Sequence, residues 1–91
     1  MNLVEKCERS ETWRKLCEVV QECEFSSTPL YVVSDDQLVT LGTIIEIAYQ
    51  LGYPVKKEAL TRIVVNKMPI HIVSKQDKIN SKDVVYIEES S

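Results

Sequence analysis

Ninety-one residues, 44% hydrophobic and 27% charged, suffice for one domain and are too few for two separate cores. Two Gly and three Pro exclude collagen-like and low-complexity chains, and no apolar run exceeds four residues, far short of a bilayer span. The net charge of −3 is segregated: residues 1–51 carry four basic against nine acidic side chains, residues 52–83 carry seven against three, and residues 88–91 form an acidic tail. Such segregation marks either contact with a polyanion or a solvated surface.

The first residues hold Leu3, Val4 and Cys7 and turn charged at Glu5 and Lys6, so no secretory leader is expected. Their apolar positions point away from the stripe that follows, which makes 1–9 a subunit contact in a homodimer, a flexible arm or a cap on the core of a monomer. Ser10 or Thr12 suits the start of a helix, and Trp13, Leu16, Cys17, Val20 and Cys23 then recur at helical spacing to near Phe25. Trp13 heads that stripe and is expected to pack against Leu41, Ile45 or their neighbours. Leu30 to Val33 is a short strand. Ser34 with Gln37 has the form of a capping box, opening a helix whose Leu38, Leu41, Ile44, Ile45, Ile47, Ala48 and Leu51 make it the centre of the core. Gly52 supplies its left-handed end and Pro54 stops it.

Residues 55–67 fit two patterns. Ala59, Leu60, Ile63 and Val64 share one face of a third helix, whereas Ile63-Val64-Val65 is a β-branched run that suits a strand. The 3.6-residue period favours the helix. Strands follow at Ile70 to Ser74 and Val84 to Ile87, joined by a polar loop suited to an extended hairpin.

Helix, strand, helix, turn, helix, strand, loop, strand resembles the winged helix-turn-helix, with Ala48 and Gly52 as its small residue and turn glycine. That resemblance covers roughly residues 11–88. It implies a single α+β domain over 1–91, ordered α-β-α-α-β-β, whose third helix enters the DNA major groove while the wing touches the backbone. Lys57, Thr61, Arg62 and Asn66 would then face outward on the third helix and Lys75, Lys78 and Lys82 would lie in the wing. Arg and Asn read base edges and Lys holds phosphate. If 63–66 is instead a strand, two helices cover a small antiparallel or mixed sheet, and RNA binding or an adaptor role gains ground.

Catalysis has little support. His71 is the one histidine and has no partner motif beside it. Three cysteines in no metal spacing read as free thiols in a reducing, intracellular setting, with Cys17 and Cys23 buried in the first helix. Two glycines cannot build a phosphate-cradling loop. Asp35 and Asp36 are better explained as capping residues than as a metal pair. The expected function is a small DNA-binding regulator of transcription acting on duplex DNA. The alternatives are a non-enzymatic protein-interaction module, adaptor or inhibitor, and, third, an RNA binder. No cofactor, metal or membrane contact is expected.

Overall fold

A computed structural model describes residues 10–74 and 84–87. Helix α1 (Glu11–Gln21) begins at Ser10, whose hydroxyl accepts the Trp13 N–H (3.4 Å), and a 3₁₀ turn carries it on to Glu24. Strand β1 (Leu30–Val33) leads into helix α2 (Gln37–Leu51). The α2 cap lies two residues beyond the expected one. The Asp36 carboxylate accepts the Val39 N–H (3.2 Å), and Gln37, instead of reaching back, donates from Nε2 to the Ile72 carbonyl at 3.0 Å. Ser34 turns inward, where its hydroxyl bonds the buried Thr40 hydroxyl. Gly52 ends α2 at φ +80°, as its position after the last apolar residue predicts.

The third helix is absent among the described residues. Residues 55–67 form β2 (Val55–Ala59) and β3 (Arg62–Val65), and β4 (Met68–Val73) and β5 (Val84–Tyr86) complete the sheet. Period two prevails over period 3.6. Ile63, Val65, Met68, Ile70 and Ile72 are all buried, every second residue within each strand, whereas Leu60, a core residue of the expected helix, is 66% exposed at the β2–β3 turn. Asn66 takes the left-handed conformation (φ 56°) that lets β3 turn into β4 within two residues. The expected wing fails as well. β4 and β5 do not pair with each other, since both lie parallel to β1, one on each side.

Among the described residues the result is an α+β domain of two helices on a five-stranded mixed sheet, ordered β2-β3-β4-β1-β5. Register puts Val32, Ile63, Val65, Met68, Ile70, Ile72 and Ile87 on one face, in one buried cluster with Leu16, Val20, Leu41, Ile44, Ile47 and Ala48 from the helices. Both helices therefore cover the same face. Trp13 and Ile45 pack half-buried against this cluster, and Cys17 and Cys23 are buried free thiols. Leu3, Val4, Cys7 and the acidic tail lie outside the described residues. No helix among the described residues is long and apolar enough to cross a membrane.

The hairpin predicts a contrast that a third helix does not. Ile63→Ala should cost about 2–5 kcal/mol, as core truncations do. Leu60→Ser should stay within about 0.5 kcal/mol, as exposed substitutions do. Urea denaturation of both variants measures the difference.

Candidate functional site

Strand alternation gives the sheet a second face, turned away from both helices. One cross-strand row runs Ala59, Arg62, His71, Tyr31 and Val84 over all five strands, since Ala59 pairs with Arg62, Arg62 with His71, His71 with Tyr31 and Tyr31 with Val84. Lys56, Val64 and Pro69 lie to one side of this row and Val73, Val33 and Tyr86 to the other. Val33 is buried, Tyr31, Val64, His71, Val73 and Val84 are half-buried, and Tyr86 is 61% exposed.

The centre of the row is an aromatic stack. The rings of Tyr31 and His71 lie 4.9 Å apart at an interplanar angle of 18°. Rings stacked across neighbouring strands stand off the sheet and turn their faces to each other, so they offer edges rather than a flat platform. Glu58 bulges from β2 and its carboxylate reaches the Arg62 guanidinium at 3.9 Å. Burial pushes the His71 imidazole below its ordinary range, Arg62 adds to the shift, and Glu58 opposes it.

The four expected contact residues that are described do not share one face. Arg62 belongs to the second face. Lys57 pairs with the buried Ile63 and so projects from the helix side of edge strand β2. Thr61 lies in the β2–β3 turn, where its carbonyl accepts the Ile72 N–H (2.8 Å). Asn66 lies at the β3–β4 turn and donates from Nδ2 to Cys23 Sγ at 3.4 Å. Lys75, Lys78 and Lys82 lie outside the described residues.

Nor do the described residues assemble a reactive centre. Burial raises the Cys23 thiol pKa, the Asn66 amide opposes that, and the nearby Glu24 charge reinforces it, so thiolate is scarce. The Tyr53 hydroxyl donates to the Glu24 carboxylate, which holds the phenol pKa up at about 12. Among the described residues no group of His, Cys, Asp and Glu has a metal-holding arrangement. Comparisons with protein-family models, with curated proteins and with solved structures each return no match.

The second-face residues Tyr31, Val33, Val73, Val84 and Tyr86 escaped the sequence reading. Their signal was present: 30–33 and 84–87 are apolar at both parities, the mark of strands wanting cover on both sides.

The row fixes a pH dependence. Because the folded state disfavours protonated His71, the unfolded chain takes up the proton first. The group's contribution is full above the unfolded pKa of about 6.5 and is lost as pH falls through it towards the lower folded value. Arg62→Ala should raise the His71 pKa and Glu58→Gln should lower it further, both read by NMR titration of the imidazole. A wild-type pKa at or above the ordinary histidine value of about 6.5 would contradict this placement.

Proposed function

We propose that this chain is a non-catalytic protein-interaction module whose partner docks on the second face of the sheet. The observation that carries the proposal is the trio of parallel strands β4, β1 and β5, apolar on both sides and, among the described residues, overlaid by helices on one only. Parallel strands are normally covered on both faces. Aromatic side chains beside an arginine, as in Tyr31, Tyr86 and Arg62, have the composition of an interface centre. The upright Tyr31–His71 stack favours this reading over RNA, because it leaves no flat ring on which a base can lie. The free thiols Cys17 and Cys23 support an intracellular, reducing setting.

Duplex DNA is the second reading, and the basic stretch 52–83 favours it. Lys56, Lys57, Arg62 and Lys67 are all exposed, and a phosphate backbone gripped by them would be released steeply by salt. It has lost the recognition helix that would have read base edges.

A photoreactive phenylalanine analogue placed singly at Tyr86, Arg62 and Tyr49 tests the proposal in cells that naturally make the protein. Tyr49 is the control, 82% exposed on α2. One discrete adduct with another protein is expected from Tyr86 and Arg62 and none from Tyr49, with the Arg62 adduct lost on Tyr86→Asp. Equal adducts from all three positions, or none, contradict a dedicated face. Fluorescence anisotropy with mixed-sequence duplexes at two salt concentrations tests the second reading. Salt-steep binding at micromolar protein would put DNA first.

A further inference from the structure

The two edges of the sheet carry opposite charge. At one edge, β5 borders a groove of ≈ 480 Å³ against α1, with Val19, Leu30, Val84, Val85 and Tyr86 as its apolar lining and Glu18, Glu22 and Lys15 as its polar groups. At the other edge is β2, with Lys56 and Lys57 exposed. Among the described residues β5 pairs only with β1 and β2 only with β3, so each has one side without a strand partner. Neither Glu18, Glu22, Lys56 nor Lys57 is in an ion pair there.

Strand directions make the edges compatible. β2 is antiparallel to β3 and β3 to β4, while β4 and β5 are both parallel to β1, so β2 and β5 run the same way. A second copy placed beside the first, with its helices on the same side, therefore meets β5 with its own β2 as a parallel neighbour. We infer that this protein self-associates head to tail, edge strand β2 of one copy adding to edge strand β5 of the next.

The side chains fall into place by register. Lys57 projects on the helix side, as its pairing with Ile63 requires, and there it meets Glu18 and Glu22 across the groove. Lys56 projects from the second face, as its pairing with Val64 requires, and there it meets the exposed Tyr86 ring, a favourable cation–π partner. Lysines on an edge strand prevent pairing with a like edge. Here they disfavour a two-fold β2–β2 contact, as Glu18 and Glu22 disfavour β5–β5, and leave the mixed pairing. The same arrangement gives the segregated charge of the sequence a use that requires no nucleic acid. A head-to-tail contact leaves one β2 edge and one β5 edge free in every pair, so association continues past two chains, into a ring or an open filament. One short strand pair buries little, below about 1,200 Å², so the contact is weak and concentration-dependent.

Sedimentation velocity of the full chain over a range of concentrations tests this. The weight-average mass should rise past two chains with concentration and fall back with added salt, because exposed charge pairs are screened. K56E/K57E and E18K/E22K should each sediment as single chains, and the variant carrying all four reversals should associate again. Circular dichroism confirms that each variant is folded. A wild type that stays a single chain at all concentrations, an association that stops at two chains, one indifferent to salt or to either reversal, or a fourfold variant that fails to recover would each overturn the inference.

Discussion

The fold depends on β1 being held from both sides. Leu30 to Val33 pair with β4 along one edge, and Tyr31 to Val33 with β5 along the other, all parallel. Parallel strands cannot be joined by a tight turn, so the chain must leave the sheet after β1 and return from elsewhere. It leaves through α2, which lies back over the sheet and buries Leu41, Ile44, Ile47 and Ala48. Ser34 and Gln37 secure the exit, one bonding the buried Thr40 and the other bridging to the β4 carbonyl of Ile72. The hairpin β2–β3 then extends the sheet beyond β4, and one face is covered by neither α1 nor α2.

The elements before residue 54 were legible because local and tertiary preferences agree there. Ser10 caps α1, the stripe Leu16, Cys17, Val20 and Cys23 is buried, and Gly52 provides the left-handed stop. Residues 55–67 were not, because the two periods coincide over so short a span. Ala59, Leu60, Ile63 and Val64 fit one face of a helix, yet Ile63 and Val65 are the residues that reach the core. What decides between them is pairing with β4, which is itself held in the sheet by β1, a strand remote in sequence. The β-branched run and the Asn66 turn were the available signs.

The charged residues were easier to find than to place. Arg62, Lys57, Thr61 and Asn66 look contiguous on a helical wheel, and the hairpin sends them to a face, an edge and two opposite turns. Side-chain direction in a strand alternates, so residues that would share one face of a helix scatter when the element is a hairpin. The aromatic row was hidden for a complementary reason. Tyr31, His71 and Tyr86 come from three strands remote in sequence, and only the parallel register at β1 brings them to one face. With residues 55–67 forming a hairpin, the proposed function rests on the surfaces of a sheet instead of on a helix in a groove.

The whole sheet turns on β1 as the middle strand of a parallel trio. Nuclear Overhauser contacts between backbone protons of β1 and its neighbours, with amide exchange recorded on the same sample, test it most directly. Tyr31 should show contacts to strand partners His71 and Val84 in parallel register, and the Val32 and Val33 amides should be among the slowest to exchange. Helical contacts three residues apart through 55–67, or antiparallel contacts between 70–73 and 84–87, would contradict it.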